Sequence, residues 1–225
     1  MGILNIIGTK KFTFIEIGVQ DSIECNSTNL VLNLNWKGAQ FEGCKESYED
    51  GKKFFQEKNI KNNQCQLLNK FVTAENVNSL IQKTKIIGEI DFFSLDIDGN
   101  DYWVWKSISI IKPRLVVLEY NSSFGKHNPL TISYNPRFVW NNKEDQRFFY
   151  GASLKALEKL SEKKGYNLIC VDSKGINAFF VRKDLMKNIA LRKMKSEDVF
   201  IYNKDHNDKL KDIKNIVKKY NLLKV

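Results

Sequence analysis

One stretch constrains the fold more than any other. Residues 90–96 read Ile-Asp-Phe-Phe-Ser-Leu-Asp, an almost unbroken apolar run of strand length that ends in acidic residues. Residues 114–119 form a second run of the same kind, and helical patterns separate such runs along the chain. Buried strands that alternate with helices are typical of a parallel sheet covered on both faces. The sequence therefore predicts an α/β fold, Rossmann-like and doubly wound, with a mostly parallel seven-stranded sheet, a C-terminal β-hairpin and a helical tail.

Turn residues and helix caps set the expected boundaries of these elements. We expect one main α/β domain at residues 1–183 and a basic helical extension at 184–225, with Leu210, Ile213, Ile216 and Val217 at helical spacing. Pro113 is expected to stop the helix that begins at Asp101. The expected strands lie at residues 11–18, 39–43, 70–73, 90–96, 114–119, 166–171 and 178–181.

Residues 121–150 form an insertion that is too long for a simple connection. It holds Pro129, Pro136 and several aromatic residues. An insertion after a strand end usually covers a ligand site, so we expect this one to cover the ligand that binds at the strand ends.

Composition excludes several protein classes. Hydrophobic residues make up 42% of the chain and charged residues 28%, which are ordinary globular values. The apolar runs are far shorter than the roughly 18 residues that a membrane helix needs, so no membrane span is expected. The first residues lack the cationic start of a secretory signal. Four cysteines occur without a C-x-x-C pair, and we interpret them as reduced thiols of a cytoplasmic protein.

The formal net charge of +10 raises the question of nucleic-acid binding. Residues 182–225 carry 13 Lys/Arg against 6 Asp/Glu, whereas the rest of the chain carries 23 against 20. The basic excess is therefore C-terminal, and a lysine-rich helical end is most often a solvated face. Because no aromatic and basic motif of a recognised RNA-binding module occurs, the sequence disfavours nucleic acid as a partner.

Acidic residues and a glycine turn mark the strand ends, where ligands bind in a doubly wound sheet. Glu16 and Gly18 close the first strand, and Glu42 follows Gly18 by 24 residues. At about this spacing a carboxylate receives both hydroxyls of a ribose. With the fourth-strand sequence Ile-Asp-Phe-Phe-Ser-Leu-Asp-Ile-Asp-Gly, residues 11–183 resemble the class I S-adenosylmethionine-dependent methyltransferases. Within that class the fourth-strand motif is similar to that of the FkbM-like group.

The resemblance implies S-adenosylmethionine as cofactor. The loop after Gly18 would surround the methionine part, although Gln20 and Ser22 stand where many members have further glycines. Glu42 would bind the ribose and Asp96 would lie beside the sulfonium. The implied cofactor-binding residues are Glu16, Gly18, Gln20, Asp21, Glu42, Glu75, Asn76 and Asp96. Glu75 and Asn76 would lie near the adenine, and helix capping is an equal alternative for Asn76.

The acceptor is expected to be an oxygen atom. The chain lacks the Asn/Asp-Pro-Pro-[Tyr/Phe] signature that amino-group methyltransferases place after the fourth strand. The FkbM-like group is associated with small metabolites and saccharides. The resemblance therefore implies O-methylation of a small polar acceptor, such as a sugar, a nucleotide-sugar or a surface-polysaccharide precursor.

A hydroxyl acceptor must lose a proton to a base or bind a divalent metal that lowers its pKa. Asp96, Asp98, Glu119 and Asn121 offer the hard oxygen ligands that Mg²⁺ prefers. Without a metal, His127 in the insertion is the candidate base, which gives Asp96, Asp98 and His127 as catalytic candidates. Candidates for positioning the acceptor are Asn121, Tyr134 and Arg137.

Two other functions remain open from the sequence. The basic C-terminal segment would suit an RNA-directed methyltransferase, although the rest of the chain is nearly neutral. A non-catalytic nucleotide-binding module on the same fold is the other alternative, but the first loop lacks the G-x-G-x-x-G phosphate cradle. A homodimer formed through the C-terminal apolar residues is a further expectation.

Overall fold

The computed structural model describes residues 2–141, 148–187, 189–203 and 221–225. The chain divides into two compact units. The first unit comprises the described residues up to Ile97 together with Ser107–Val116. The second comprises Asp98–Lys106 together with the described residues from Val117 onward. The predicted helix around residues 210–217 lies outside the described residues.

The first unit holds the amino-terminal half of the sheet. Buried aromatic and branched side chains, among them Phe14, Ile15, Phe41 and Phe93, form its core. Its elements are α1 (Gly2–Ile7), β1 (Thr13–Ile17), α2 (Thr28–Leu32), β2 (Lys37–Glu42), α3 (Lys45–Glu57), β3 (Cys65–Asn69), α4 (Val77–Thr84), β4 (Gly88–Leu95) and the first part of β5 (Ile111–Glu119).

Two charged residues hold the amino-terminal segment of this unit. The fully buried Asp91 in β4 accepts hydrogen bonds from the backbone N–H groups of Lys10 and Lys11, at 2.6 and 2.7 Å. Arg114 in β5 donates to the carbonyl oxygens of Ile7 and Gly8, at 2.6 and 3.0 Å. These bonds fix the connection between α1 and β1.

The second unit holds the remaining elements. They are most of α5 (Asp101–Ser107), the end of β5, a 3₁₀ turn (Ser122–Phe124), β6 (Leu130–Thr131), α6 (Leu154–Lys163), β7 (Tyr166–Val171), β8 (Asn177–Arg182), a second 3₁₀ turn (Lys183–Met186), α7 (Ser196–Val199) and β9 (Leu223–Lys224). At the start of α6, Ser153 Oγ accepts from Ala156 N at 3.1 Å and donates to Asn128 O at 2.7 Å. One hydroxyl thus caps the helix and fixes the chain before β6.

The strand order of the seven-stranded sheet is β3-β2-β1-β4-β5-β8-β7. β1 pairs in parallel with both β2 and β4, and β2 pairs in parallel with β3. β7 and β8 form an antiparallel hairpin. The predicted fold class is therefore confirmed, including the seven strands and the hairpin.

The third strand was misplaced by the sequence analysis. It occupies Cys65–Asn69 and not residues 70–73, and it pairs with β2 from Gly38↔Cys65 to Glu42↔Asn69. The strand was predicted at residues 70–73 because β-branched and aromatic residues such as Phe71, Val72 and Thr73 favour strands. In the structure these three residues lie in the connection to α4.

Pro113 also has a different place from the expected one. The helix that begins at Asp101 ends at Ser107, well before the proline. Pro113 lies inside β5, whose first residue is Ile111. Proline is compatible with a strand where its missing N–H is not required for pairing.

A small second sheet in the second unit was not expected. β6 pairs antiparallel with β9, with Leu130 opposite Lys224 and Thr131 opposite Leu223. Phe124, Leu130, Ile132 and Leu222 form a buried apolar cluster beside this pairing. The described part of the insertion is therefore packed against the last residues of the chain.

Candidate functional site

The glycine turn after β1 is built for close contact between backbones. Gly18 has φ +83°, and its N–H donates to Phe41 O at 2.9 Å. A Cβ on residue 18 would lie 1.6 Å from the carbonyl oxygen of Asp96. The amide of Asp96 donates to Ile17 O at 3.0 Å. The ends of β1, β2 and β4 therefore meet at a position that only glycine can fill.

Two residues of the loop after Gly18 have the backbone conformation that glycine favours, although neither of them is glycine. Gln20 and Ser22 have φ values of +50° and +62°, in the left-handed region that glycine favours. These are the two positions at which the resembling family has further glycines. Asp21 Oδ1 accepts from Ile23 N at 3.0 Å and so stabilises the turn. The departure in sequence thus leaves a left-handed backbone path in place.

Glu16 holds the end of this loop that leads into α2. Its carboxylate is 2% exposed and accepts from the backbone N–H groups of Asn26 and Ser27, at 2.9 and 2.8 Å. Burial raises the pKa of Glu16, and the hydrogen bonds from Ser27 and Asn26 oppose that rise. Both oxygens of the side chain are therefore directed at the start of α2, and Glu16 acts as the anchor of the loop.

Glu42 holds the beginning of the same loop, at Gln20. Its Oε2 accepts from Gln20 N at 2.8 Å and its Oε1 accepts from Cys44 N at 2.7 Å. A carboxylate has about four lone-pair sites, so two hydroxyl donors can still bind. Glu42 is thus hydrogen-bonded to the backbone of the loop after Gly18 and to the backbone before α3.

Gln40 is a site residue that the sequence analysis missed. It is fully buried in β2, and its Nε2 donates to Ser27 Oγ at 2.9 Å. Because Ser27 N donates to Glu16, the three side chains brace the loop together. A polar residue inside an apolar strand needs a buried partner, and that rule could have singled out Gln40.

The predicted adenine-edge residues lie in the connection between β3 and α4. Asn76 Oδ1 accepts from Thr73 N at 2.8 Å, and its Nδ2 donates to Phe71 O at 2.9 Å. Asn76 is also the residue that precedes α4, but its side chain makes no capping hydrogen bond to that helix, so the capping expected from the sequence is not observed. Its amide therefore braces the connection, and Glu75 beside it is exposed.

Two acidic residues come together in the second unit. Oxygens of the Asp98 and Glu119 carboxylates lie within 4.8 Å of one another. Asp98 has φ +50°, an uncommon conformation for a residue with a side chain. Asp96 precedes Asp98 by two residues and lies in the first unit. Two close carboxylates can share a proton or bind a cation.

Asn121 is occupied by contacts within the second unit. Its Nδ2 donates to Phe148 O at 2.8 Å and Tyr150 O at 3.0 Å. Its Oδ1 accepts from Ser123 N at 2.9 Å. The side chain therefore holds residues 148–150 at the end of β5, as a positioning group.

The other predicted acceptor residues are spread over the insertion. Tyr134 is half-buried, with its ring centre 6.0 Å from that of Trp103. His127 and Arg137 are both exposed. The structure thus brings Glu16, Gly18, Gln20, Asp21, Glu42 and the Asp96 backbone together around one loop, whereas Glu75 and Asn76 lie in the connection between β3 and α4. In the second unit it brings together the carboxylates of Asp98 and Glu119, two of the predicted metal ligands.

Comparisons with known proteins agree with this architecture. The sequence matches no protein-family model and no curated protein. An S-adenosylmethionine-dependent methyltransferase from Clostridium acetobutylicum ATCC 824 is similar in structure, with a TM-score of 0.51 and 11% identity over 80% of this chain and 88% of that chain. The chain has the fold of these methyltransferases.

Two further similar structures have lower scores. The N-terminal domain of EvdMO1 with SAH bound has a TM-score of 0.49 and 11% identity, over 80% of this chain and 76% of that chain. The O-methyltransferase from Bacillus cereus in complex with SAH has a TM-score of 0.45 and 15% identity, over 79% and 75%. At these identities the likeness concerns the fold and not the reaction.

No helix in the described part of the chain has the length and apolar character that crossing a membrane requires.

Proposed function

We propose that this chain is an S-adenosylmethionine-dependent O-methyltransferase that acts on a small polar acceptor. The proposed acceptor is a sugar, a nucleotide-sugar or a surface-polysaccharide precursor. The observation that carries the proposal is the turn at Gly18 with the loop after it. Gly18 lies against the Asp96 carbonyl, and Gln20 of the loop donates to Glu42. The fold supports the methyltransferase part. The acceptor class and the FkbM-like grouping rest on the fourth-strand motif.

The residues present fit the proposed cofactor. The Cβ position of Gly18 is taken by the Asp96 carbonyl oxygen, so glycine lets the ends of β1 and β4 lie close together at the base of the loop. Glu42 keeps lone pairs for the two ribose hydroxyls beyond its bonds to Gln20 and Cys44. Glu16 stays a proposed cofactor contact, since its two bonded oxygens keep further lone pairs as those of Glu42 do. It positions the loop through Asn26 and Ser27.

When bound, the cofactor supplies a methyl group on a positively charged sulfur. The chain must align an acceptor oxygen for in-line displacement and keep water away. Transfer to a hydroxyl would form a carbon–oxygen bond and break the carbon–sulfur bond, and the acceptor would lose its proton. We assign acceptance of that proton to the carboxylates of Asp98 and Glu119, whose oxygens lie within 4.8 Å of one another. His127, which is exposed, is the alternative base.

Binding of a Mg²⁺ ion is a second proposed role for the Asp98 and Glu119 pair. Asp98 and Glu119 supply hard oxygen ligands within a short distance of each other. Asp96 would join them from two residues earlier in the chain. Asn121 suits this set less well, because its amide already bonds to Ser123, Phe148 and Tyr150.

The cofactor proposal is tested by isothermal titration with S-adenosylhomocysteine, once with Mg²⁺ and once with EDTA. We expect micromolar binding in both buffers and a loss of at least tenfold in Glu42→Ala. Glu57→Ala is the matched control, since Glu57 is an exposed glutamate at the end of α3. A folded wild-type protein that shows no binding would refute the cofactor proposal and favour the non-catalytic alternative.

The acceptor proposal needs a separate assay. Purified protein and S-adenosylmethionine would be incubated with sugars, nucleotide-sugars and short RNAs, and products would be read by mass spectrometry. We expect transfer to an oxygen of a sugar-containing acceptor, with Asp98→Asn and Glu119→Gln reducing turnover more than cofactor binding. Methylation of RNA alone, with a salt-dependent affinity, would replace this acceptor class by the RNA-directed alternative.

Several expectations from the sequence stay as proposals. They are the division at residues 183 and 184, an acceptor-covering role for residues 121–150, a homodimer and a cytoplasmic location.

A further inference from the structure

Residues 200–203 form a short strap that lies against the end of β5 in the second unit. The strap reads Phe200, Ile201, Tyr202 and Asn203. It follows the region, residues 11–183, that resembles the methyltransferases, so the resemblance assigns it no role. Its contacts within the second unit show where it lies.

Two hydrogen bonds fasten the strap to the end of β5. The Tyr120 hydroxyl donates to Ile201 O at 2.7 Å, and Asn203 N donates to Ser122 Oγ at 3.0 Å. Tyr120 directly follows Glu119, one of the two carboxylates proposed to accept the proton of the acceptor. The strap therefore lies at the carboxyl end of β5, beside the proposed site of methyl transfer.

The turn between β7 and β8 holds the strap from another side. A Cβ on Gly175 would lie 2.6 Å from Ile201 O and 2.8 Å from Asn203 N, so the strap lies directly on this turn. Tyr120 N donates to Ile176 O at 2.8 Å, which joins the turn to β5. The backbone of the strap is thus held between the end of β5 and the hairpin turn.

Three aromatic rings lead from the interior of the second unit to its surface. The ring of the buried Tyr120 lies 6.0 Å from that of Phe200, which lies 4.7 Å from that of Tyr202, measured between ring centres. Tyr202 is 50% exposed. An exposed ring on a fixed backbone loses little freedom when a ligand packs on it, so Tyr202 is suited to binding.

We infer that Tyr202 packs on the sugar ring of the methyl acceptor and helps to determine which acceptor is bound. This inference rests on the proposed function, in which a hydroxyl of a sugar-containing acceptor is methylated. Single exposed aromatic side chains are common, so the position of Tyr202 beside the end of β5 carries the inference and its exposure alone does not. Tyrosine offers an apolar ring face to the C–H groups of a sugar and a hydroxyl to its polar edge.

The test measures sugar binding to the full chain saturated with S-adenosylhomocysteine. The probes are D-glucose, D-galactose, L-rhamnose and their UDP or dTDP derivatives, observed by saturation-transfer difference NMR. We expect Tyr202→Ala to weaken the affinity for the bound probe by about 3- to 10-fold, the range of an aromatic contact. Tyr202→Phe should stay within about twofold of wild type, because the ring is kept.

Kinetics with S-adenosylmethionine separate this role from catalysis. For the probe that is methylated, Tyr202→Ala should raise KM by the same factor and leave kcat within about twofold of wild type. The affinity for S-adenosylhomocysteine should not change in either variant. A fall in kcat at constant KM would contradict a role in acceptor binding.

Phe12→Ala is the matched control. Phe12 is 52% exposed and its ring packs on Trp36 with centres 5.7 Å apart, but it directly precedes β1 and so lies at the amino end of that strand. It should leave every affinity unchanged.

The outcomes distinguish this inference from the proposed function. Unaltered sugar affinity in Tyr202→Ala would overturn this inference alone, and equal losses in Tyr202→Ala and Tyr202→Phe would do the same. A wild-type protein that binds S-adenosylhomocysteine but none of the sugar probes would overturn the acceptor class and this inference with it. Absence of both kinds of binding would overturn the proposed function.

Discussion

The carbonyl oxygen of Asp96 occupies the space in which residue 18 would carry a Cβ, 1.6 Å from the ideal position of that atom. We expect Gly18→Ala to lower the free energy of unfolding by more than about 3 kcal/mol, because β1 and β4 must separate to admit the methyl group. Denaturant unfolding measures the loss.

Gly88→Ala is the comparison for this prediction. Gly88 has φ +71° but nothing within 4 Å of its Cβ position. It should cost only about 1 kcal/mol, the penalty of a left-handed backbone alone. Equal losses in the two variants would show that the contact with Asp96 is not responsible.

The left-handed backbone of Gln20 predicts that glycine at this position leaves the free energy of unfolding unchanged or raises it. Gln20 has φ +50°, and its backbone N–H donates to Glu42 Oε2. Gln20→Gly should therefore keep that bond and change the free energy of unfolding by between zero and about +1 kcal/mol. Gln20→Val should lower it by about 1–2 kcal/mol, since a β-branched residue tolerates this conformation poorly. Thermal unfolding in parallel distinguishes the two directions.

The buried Glu16 predicts a pH dependence of stability. Burial raises the pKa of Glu16 above its ordinary value of 4.5. The native state then binds the proton more tightly than the unfolded state, so this contribution is fully present below pH 4.5 and is lost as the pH rises through the native pKa.

Glu16→Gln removes this titration. The stability of wild type relative to Glu16→Gln should therefore fall as the pH rises from about 4 towards neutrality. Unfolding curves across that range measure the difference, with the exposed Glu57→Gln as control. Parallel stability profiles for wild type and Glu16→Gln would contradict the prediction.

Cys44 is expected to be the most reactive of the four free thiols. It is exposed directly before α3, and hydrogen bonds from the Ser47 backbone, the Ser47 hydroxyl and the Glu46 backbone lower its pKa. Burial raises the pKa of Cys25 to about 12 and also raises that of Cys65. The thiolate is the nucleophile, so iodoacetamide at neutral pH should label Cys44 first.

Ser47→Ala should slow that labelling by removing one of the hydrogen bonds. Because Cys44 N donates to Glu42, bound S-adenosylhomocysteine should also change the rate. Peptide mass spectrometry over a pH series checks both points. Faster labelling of Cys25 or Cys65 than of Cys44 would refute this ranking.

Asn121 allows a positioning role to be separated from metal binding. Asn121→Asp keeps the acceptor for Ser123 N but replaces the donors to Phe148 O and Tyr150 O by a second oxygen. We expect a loss of about 2–4 kcal/mol in unfolding free energy and no gain in Mg²⁺ affinity. Unchanged stability with tighter Mg²⁺ binding, measured by titration, would instead make Asn121 a metal ligand.

The strongest sequence signals predicted the central part of the fold. The run at residues 90–96 contains most of β4, and Glu16, Gly18 and Glu42 do meet around one loop. These features follow from local patterns, since an apolar strand and a glycine turn need little information from elsewhere. The same patterns could not show that both oxygens of Glu16 would accept backbone N–H groups at the start of α2.

Other features depended on distant partners. The sequence at Cys65–Asn69 has a weaker strand pattern than Phe71, Val72 and Thr73, and its pairing with β2 decides its position. The two residues of β6 are too few to be recognised, and their partner strand lies at Leu223–Lys224. Nothing in a local window indicates such a pairing.

The β6–β9 pairing has a consequence for the order in which the chain folds. During synthesis, Leu130 and Thr131 leave the ribosome long before Leu223 and Lys224 are made. Until then the apolar side chains of Phe124, Leu130 and Ile132 lack their contact with Leu222. A contact between residues so far apart in sequence forms slowly and exposes apolar surface while it is missing. The second unit should thus be the slower part to mature, and the more dependent on chaperones in the cell.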